Sequence, residues 1–414
     1  MTRSNAPRHF APLHAAPERP RRFAAAAAMV PVRFGAGAQL LALASGLALM
    51  AGMAWGQGTG EGAAATTIET SAGPMEISRI ADGFEEPWAI GLLPDGGILV
   101  TEREGRLLLL RGGERVDITG VPEVYAEGQG GLLDVMVPRD FEQSREVWLS
   151  YAAAVDGGAA TAVGKGRLSE DGSALEGFEM LYVGEGLPGG RHFGSRIVEA
   201  QDGSVFVTTG DRGTGPDGMQ AQDPETVEGS VIHLTREGAT ATAQENWRRG
   251  VYSIGHRNAQ GAALGPDGTL WLVEHGAQGG DELNWVREGA NYGWPVISYG
   301  VNYNGDTIGE GQAAEGMEQP AHYWDPSIAP SGMIVYSGAL VPEWAGDVFT
   351  GSLNQSFLSR LDMETAAPTG FEEERIEAEE TGRVRDVREA PDGSIWFLSV
   401  LEGAIFRLAP AEAG

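Results

Sequence analysis

One short pattern recurs along the chain and limits how it can fold: a turn ending in Asp-Gly leads directly into a strand of β-branched or aromatic residues. Asp-Gly supplies the positive φ that tight hairpin turns require. The four turns contain Asp95, Asp202, Asp267 and Asp392. The strands predicted after them are Ile98–Thr101, Val205–Thr208, Leu270–Val273 and Ile395–Leu398. The chain therefore alternates short strands and turns, and its pattern contains almost no amphipathic helix.

The spacing of these turns predicts an all-β fold built from repeats around an axis. Successive turn aspartates lie 107, 65 and 125 residues apart, which fits repeats of roughly 50–60 residues if some repeats lack the turn. Two units continue into a second hairpin, through Glu104-Gly105 and Glu402-Gly403. We predict a six-bladed β-propeller over residues 75–410. A β-sandwich is the alternative, but it does not explain why the same turn recurs from one end of the domain to the other.

The first 74 residues have a different composition. Several arginines precede the short apolar run Leu40–Met50, and the small residues Ala51–Ala54 follow it, which is typical of a secretory signal peptide. We predict a signal peptide over residues 1–56, with Met29 as an alternative start, and a flexible linker over residues 57–74. An uncleaved anchor is the competing interpretation, but the apolar run is short for a membrane span. The expected location is periplasmic or secreted, with no stable membrane insertion after cleavage.

The net charge, the absence of cysteine and the single lysine each exclude classes of function. The chain has 58 Asp and Glu against 29 Lys and Arg, a net charge of -29, whereas nucleic-acid binding needs a basic surface. Abundant carboxylates are compatible with Ca²⁺ binding. The absence of cysteine excludes disulfides, thiolate metal sites and cysteine nucleophiles. Because Lys165 is the only lysine, Schiff-base and phosphate-loop lysines are not expected.

Two Gly-rich segments carry the residues best suited to chemistry. Gly190–Arg196 contains His192, and Gly255–Gly261 contains Arg257 and Asn258. Both segments are predicted to be loops at strand ends, where catalytic residues concentrate, and in a propeller such loops converge around the axis on one face. A histidine beside an Arg-Asn pair suggests a base and two hydrogen-bond donors for an anionic or carbonyl-bearing partner. A structural hydrogen-bonding role is the alternative for the histidine.

Four further segments add polar groups that could join this site: Gly128–Leu132, Glu274–Glu282, Asn291–Pro295 with Tyr303 beyond it, and Gly382–Asp386. Arg383 and Arg385 alternate, so a strand would point them the same way. A salt bridge between blades, to Asp386 or another acid, is the alternative for these arginines. The Gly-rich loops have no helix after them, which excludes a dinucleotide or phosphate loop.

Taken together and in this order, the motifs resemble those of the glucose/sorbosone dehydrogenases. These are soluble pyrroloquinoline quinone (PQQ) enzymes that include periplasmic aldose sugar dehydrogenases. The resemblance covers about Ile80 to Leu408. It implies a six-bladed propeller that oxidises an aldose at the anomeric carbon to a lactone. It also implies PQQ and Ca²⁺ as cofactors and an external electron acceptor, either a cytochrome or a quinone. A monomer or a homodimer is expected.

The resemblance also implies a role for each matching residue. His192 would be the general base that takes the anomeric hydroxyl proton while hydride passes to the quinone. Arg257 and Asn258 would bond the quinone oxygens, with Arg257 stabilising the developing negative charge. The remaining contacts to PQQ would come from Gln129, Tyr303, Asn354, Arg383 and Arg385, with the last two paired to its carboxylates.

Calcium would occupy two places by the same resemblance. One ion would bridge PQQ to the protein through the carbonyls of Gly276 and Ala277, and another would use Glu282 and the region of Tyr292. Two residues depart from the family pattern. Asn354 stands where the family usually has a lysine, which removes a positive charge from the pocket of a tri-anionic cofactor. Ala277 replaces the more usual proline.

Two other functions fit a propeller of this kind. A calcium-dependent lactonase or hydrolase would need several convergent carboxylates on the axis, whereas the motifs supply arginine, asparagine and glutamine. A non-catalytic propeller that binds a protein or a glycan would not need His192 together with Arg257, Asn258, Arg383 and Arg385.

Overall fold

The computed structural model describes residues 65–411, and within this range the chain forms six antiparallel sheets. The sheets are arranged as the blades of a propeller, which confirms the predicted fold. The predicted signal peptide lies outside the described residues. No helix within residues 65–411 has the length and apolar character needed to cross a membrane.

The first two strands of the described chain, β1 (Thr66–Thr70) and β2 (Gly73–Asp82), belong to the last blade. Blade 1 consists of β3 (Pro87–Leu92), β4 (Ile98–Glu102), β5 (Arg106–Arg111) and β6 (Glu114–Asp117). Blade 2 consists of β7 (Leu132–Met136), β8 (Glu146–Val155), β9 (Gly158–Leu168) and β10 (Leu175–Val183). Blade 3 consists of β11 (Ile197–Glu199), β12 (Val205–Thr208), β13 (Val231–Leu234) and β14 (Val251–Ser253).

The second half of the ring repeats the arrangement. Blade 4 consists of β15 (Ala259–Leu264), β16 (Leu270–Glu274), β17 (Asp281–Val286) and β18 (His322–Trp324). Blade 5 consists of β19 (Pro330–Val335), β20 (Val348–Ser352), β21 (Leu358–Ala367) and β22 (Gly370–Ile376). Blade 6 combines β23 (Val384–Glu389), β24 (Ile395–Ser399) and β25 (Ala404–Pro410) with β2 and β1. The helices of the described range are short: α1 (Phe141–Ser144), α2 (Gly215–Gly218) and the 3-10 turns Gln220–Gln222, Pro342–Trp344 and Glu379–Thr381.

The recurring Asp-Gly turn joins the first two strands of blades 1, 3, 4 and 6. In each turn the aspartate accepts a hydrogen bond of 3.0 Å from the backbone N–H two residues later. The following glycine has φ between 81° and 85°, which L side chains rarely adopt. Blades 2 and 5 use longer connections at this point, containing α1 and the 3-10 turn Pro342–Trp344, and this explains why the motif is missing there.

Both ends of the domain build the last blade. Strand β2 pairs antiparallel with β25, and β1 pairs with β2 as the outermost strand. The linker predicted over residues 57–74 is therefore too long, because residues from Thr66 onward already pair in the sheet. The Thr-Ile-Glu-Thr sequence alternates as a strand does, and its Ile68 packs against the core between blades 5 and 6.

Six apolar clusters hold the ring together, one at each contact between neighbouring blades. The cluster between blades 1 and 2, for example, joins Trp88 and Leu99 to Leu132 and Leu149, and the five other interfaces repeat this arrangement. Each blade is thus buried on two faces. The first strand of each blade contacts that of the next, including β23 with β3, so the ring is closed.

A buried cluster of charges lies among these inner strands. Arg196 reaches Asp134 at 2.9 Å and Asp386 at 3.0 Å. Arg388 reaches the same two carboxylates at 2.8 and 3.0 Å. The guanidinium of Arg196 also lies 4.4 Å from the ring centre of Trp88. Two arginines balance two aspartates, so the cluster joins blades 1, 2, 3 and 6 without a net charge.

Candidate active site

The loops around the ring enclose a cavity of about 760 Å³. Residues from all six blades or the connections between them line it, which is why segments far apart in sequence can meet there. Ten of the twelve residues predicted for the site lie in the lining: Gln129, His192, Arg257, Asn258, Gly276, Ala277, Tyr303, Asn354, Arg383 and Arg385. Glu282 and Tyr292 are not part of this lining.

His192 is held in a single orientation by a buried carboxylate. It lies on the connection to β11, has φ of 53° and is 7% exposed. Its Nδ1 is 2.6 Å from Oδ1 of Asp211. Asp211 follows the end of β12, and its other oxygen accepts a hydrogen bond of 2.7 Å from the indole N–H of Trp294. Because Asp211 engages Nδ1, Nε2 is the ring nitrogen left for a ligand in the cavity.

The surroundings favour a neutral imidazole. Burial lowers the pKa of His192 below its usual range, and the positive charge of Arg257 lowers it further, although the hydrogen bond to Asp211 opposes both effects. The pKa of Asp211 is also lowered: burial raises it, but the contacts with His192 and the Gly213 N–H outweigh burial. A carboxylate facing Nδ1 requires the proton there, so Nε2 carries the lone pair that a base needs.

The loop before β15 presents Arg257 and Asn258 to the same cavity. Its anchor is His256, which is fully buried, with Nδ1 2.8 Å from Glu274 and Nε2 2.9 Å from Ser253. Glu274 also accepts the backbone N–H of Arg257 at 2.6 Å. The arginine side chain lies 5.2 Å from the ring centre of Trp294, and within the described residues its buried Nε has no hydrogen-bond partner.

Amide side chains tie the histidine loop to its neighbours. Oε1 of Gln129 accepts the backbone N–H of His192 at 2.8 Å. Oδ1 of Asn258 accepts the backbone N–H of Gly194 at 3.2 Å. Tyr303 stands at the rim with 73% exposure, and its hydroxyl is 3.4 Å from Nη2 of Arg257. These contacts fix the base relative to the two residues expected to bind a carbonyl-bearing partner.

Positive charge accumulates on the side of the cavity formed by blade 6. Burial lowers the pKa of Arg385 to about 9, and repulsion from Arg383, Arg196 and Arg103 contributes. Arg383 donates to the carbonyl of Leu353 at 3.1 Å. The alternative of a salt bridge to Asp386 is wrong, because Asp386 pairs with Arg388 and Arg196. Guanidinium groups that repel one another along one wall of the cavity favour an anionic ligand.

The predicted calcium ligands fall into two places. Gly276 and Ala277 lie in the cavity lining between β16 and β17, and Asp281 fixes the Gly276 N–H at 2.7 Å. Tyr292 stacks on His256 at 4.7 Å, and its hydroxyl donates to the Trp285 carbonyl at 2.5 Å. Their roles stay predictions.

Glu282 lies on β17, and its carboxylate accepts a hydrogen bond of 3.1 Å from Asn284. Burial and the nearby Glu274 raise the pKa of Glu282 above its usual range. Within residues 65–411 no three His, Asp or Glu side chains converge as metal ligands. Calcium at Glu282 would therefore need carbonyl or water oxygens for most of its coordination.

Several residues of the site were not predicted from the sequence. Asp211 and Trp294 orient His192, and Arg103 adds a fourth guanidinium to the lining. Gln260 lies at the end of the predicted Gly255–Gly261 motif and faces the cavity. The available signal for Asp211 was its position after a strand and a glycine, the same pattern that marked the other loops.

Comparisons with known proteins identify the family to which the chain belongs. A family model described as glucose/sorbosone dehydrogenase matches residues 84–407. The aldose sugar dehydrogenase YliI of Escherichia coli (strain K12) is 38% identical over 350 residues, covering 81% of this chain and 93% of that protein.

Two solved structures are also similar. The soluble aldose sugar dehydrogenase of Escherichia coli in its apo-form has a TM-score of 0.76 and 37% identity, covering 81% of this chain and all of that one. The PQQ-bound aldose sugar dehydrogenase of Streptomyces coelicolor shares the fold, with a TM-score of 0.65 and 24% identity. That match covers 83% of this chain and 99% of the other.

Proposed function

Because the chain belongs to the glucose/sorbosone dehydrogenase family, we propose that it oxidises aldose sugars to lactones at the anomeric carbon, with PQQ as its cofactor. The observation that carries the proposal is the meeting of a buried imidazole, held by Asp211, and several guanidinium groups in one cavity. The imidazole suits proton abstraction from a sugar hydroxyl, and the guanidinium groups suit a polyanionic quinone.

The residues present fit PQQ, which carries three carboxylates and two adjacent quinone oxygens. Arg383 and Arg385 would hold carboxylates, since a guanidinium matches a carboxylate with two parallel hydrogen bonds. Arg257 and Asn258 would hold the quinone oxygens, and the unpartnered Nε of Arg257 is a donor that such a ligand would satisfy. A cavity of about 760 Å³ is within the usual range for a cofactor. When bound, the quinone supplies the two-electron oxidant that the reaction needs.

The protein itself would manage the proton. Nε2 of His192 would take the proton of the anomeric hydroxyl, which turns the imidazole into an imidazolium. Asp211, at 2.6 Å from Nδ1, would stabilise that positive charge and keep the ring in place. The indole of Trp294 holds Asp211 in turn, so the base is positioned before the sugar arrives and little reorganisation is needed.

Arg257 and Gln129 would complete the electrostatic arrangement. Arg257 is 6% exposed. Because water screens a buried guanidinium only weakly, it would strongly stabilise negative charge that develops beside it. Gln129 fixes the backbone of His192 with one end of its amide. Tyr303 would cover the cavity entrance and help to hold PQQ against Arg257.

We assign calcium to the same cavity on the chemistry of its lining. The carbonyl groups of Gly276 and Ala277 are oxygen ligands of the kind Ca²⁺ prefers. Lys165, the only lysine in the chain, does not line the cavity, so no lysine ammonium group takes the place of a cation beside these carbonyl groups. A second calcium would use Glu282 and the region of Tyr292. Its contribution would be structural, because neither residue lines the cavity.

The remaining features of the proposal come from the sequence and the family. Residues 1–56 would direct export to the periplasm, and electrons would leave to an external cytochrome or quinone. A hydrolase is less well supported, because the carboxylates in the described lining are Glu86 and Asp325, and Glu86 is paired with Arg103 at 2.6 Å. A binding module without catalysis would not explain the His192–Asp211 pair.

Reconstitution tests the proposal directly. The purified apoprotein is mixed with PQQ and Ca²⁺, and dye reduction is followed with a panel of aldoses. We expect activity with at least one aldose and a change in the PQQ spectrum on binding. His192→Ala is expected to abolish turnover while PQQ still binds. A wild type that shows no activity and no spectral change would refute the function, and unchanged turnover in His192→Ala would remove that residue as the base.

A further inference from the structure

Gln260 connects three parts of the cavity through one side chain. It lies in β15, which has an irregular register between Ala259 and Gly261, and it is 8% exposed. Its Oε1 accepts a hydrogen bond from Nη1 of Arg385 at 2.8 Å. Its Nε2 donates to the carbonyl of Gly194 at 3.1 Å and to Oδ1 of Asn258 at 3.2 Å. The two ends of one amide thus join blade 6 to blade 4 and to the histidine loop.

The orientation of this amide follows from its neighbours. A guanidinium only donates hydrogen bonds, so the end facing Arg385 must be the oxygen. The other end is then the NH₂ group, which agrees with the carbonyl of Gly194 as its partner. Asn258 receives two donors at Oδ1, from Gln260 and from the Gly194 N–H. Its own NH₂ group is therefore the part left for a ligand that accepts hydrogen bonds.

Gln260 also reaches the base through the backbone. Gly194 is held at both its N–H and its carbonyl, by Asn258 and Gln260 respectively, and it follows His192 by two residues. Within residues 65–411, Gln260 is the side chain that accepts a hydrogen bond from Arg385. The side chain of Gln260 therefore contacts Arg385 and Asn258 directly and, through Gly194, the loop that carries His192.

We propose that Gln260 is a positioning residue that fixes the polarity of Asn258 and the direction of Arg385, and so aligns the cofactor with the base. This inference rests on the proposed function. Gln260 lines the cavity, but its role is to hold Arg385 and Asn258 in place, so it differs from that of His192.

The test uses two substitutions at this position and one control. Gln260→Met keeps the length of the side chain and removes all three hydrogen bonds. Gln260→Glu keeps an acceptor for Arg385 but places an oxygen against the Gly194 carbonyl and Oδ1 of Asn258. Gln244→Met is the matched control, because Gln244 also donates twice, to the carbonyls of Val251 and Tyr252, and does not line the cavity.

Each protein is measured in three ways: the Kd for PQQ by quenching of tryptophan fluorescence, the melting temperature, and kcat and KM for an aldose at saturating PQQ and Ca²⁺. We expect Gln260→Met to raise the Kd roughly tenfold, as the loss of a hydrogen bond to a charged group does. Its kcat should fall by a similar factor with little change in KM. Gln260→Glu should raise the Kd further, because its carboxylate competes with PQQ for Arg385. Gln244→Met should change only the melting temperature.

The outcomes separate this inference from the function beneath it. If the wild type binds no PQQ, the proposed function fails, and the role of Gln260 fails with it. If the wild type binds PQQ and Gln260→Met matches it within about twofold in Kd and kcat, only the positioning role is refuted. The positioning role is equally refuted if Gln260→Met loses melting temperature as Gln244→Met does while its Kd stays unchanged.

Discussion

The contact between His192 and Asp211 gives the sharpest prediction, and Asp211→Asn is the change that tests it. The carboxylate accepts hydrogen bonds on both oxygens, from His192 and the Gly213 N–H on one and from the Trp294 indole on the other. An asparagine amide has a single oxygen, so its NH₂ group must face donors on one side. Turned towards Trp294, it opposes the indole N–H. Turned towards His192, it forces the proton from Nδ1 to Nε2.

The magnitude follows from what the imidazolium loses. A hydrogen bond to a charged group contributes about 1.5–3 kcal/mol, and every 1.4 kcal/mol is a factor of about ten. Loss of the 2.6 Å contact alone should therefore reduce kcat by roughly 10- to 100-fold. The wrong tautomer adds to this, since a base protonated at Nε2 cannot accept a proton. We expect a total loss of at least about 100-fold in kcat.

The pH profile distinguishes this mechanism from general damage. If His192 is the base, it works only when neutral, and burial and Arg257 lower its pKa. We therefore expect activity above that pKa and a fall in activity as the pH drops through it. Asp211 holds the pKa up, so its neutralisation should move the acidic limb to lower pH while the plateau falls. Dye reduction at saturating PQQ across the pH range measures both effects, and PQQ titration by fluorescence checks that binding is kept. Turnover within about threefold of the wild type, with an unmoved acidic limb, would contradict the reasoning.

Three other predictions follow from the cavity and the core. Asn354→Lys should tighten PQQ binding about tenfold by restoring a positive charge. The control Gln143→Lys adds the same charge on α1 and should leave the Kd unchanged. Arg196→Met should lower the free energy of unfolding by about 3–5 kcal/mol, because it leaves the buried carboxylates Asp134 and Asp386 undercompensated. Urea unfolding measures this, and a loss below about 1 kcal/mol would contradict it. Removal of calcium with EGTA should abolish dye reduction, and added Ca²⁺ should restore it; full activity in EGTA would argue against the calcium assignment.

Local chemistry made four of the six blades predictable from the sequence. The Asp-Gly turns depend on residues a few positions apart, and each forms as expected with the same hydrogen bond. Blades 2 and 5 have no such turn, so they could be inferred only from the spacing between the turns of the other blades. The strand Thr66–Thr70 was missed because its composition resembles a linker. This strand pairs with Gly73–Asp82, and its Ile68 packs against the core between blades 5 and 6.

Site residues could be predicted where a short motif itself contains the functional side chain. They could not be predicted where the important contact joins residues far apart in the sequence. Nothing near His192 indicates that Asp211 orients it, because the loop after β12 decides that contact. A salt bridge to Asp386 or another acid was the alternative role for Arg383 and Arg385. Asp386 lies two residues before Arg388 in β23, so the two side chains share a face, and Asp386 pairs with Arg388 and with Arg196 of blade 3.

The joining of the two ends of the propeller domain in blade 6 has a consequence for the order of assembly. Arg383 directly precedes β23 and Arg385 is its second residue. Their blade is complete only when β2 has paired with β25. We expect the proposed binding surface for the PQQ carboxylates to be ordered only once β2 has paired with β25. If PQQ is the cofactor, we therefore expect it to bind only after the ring has closed.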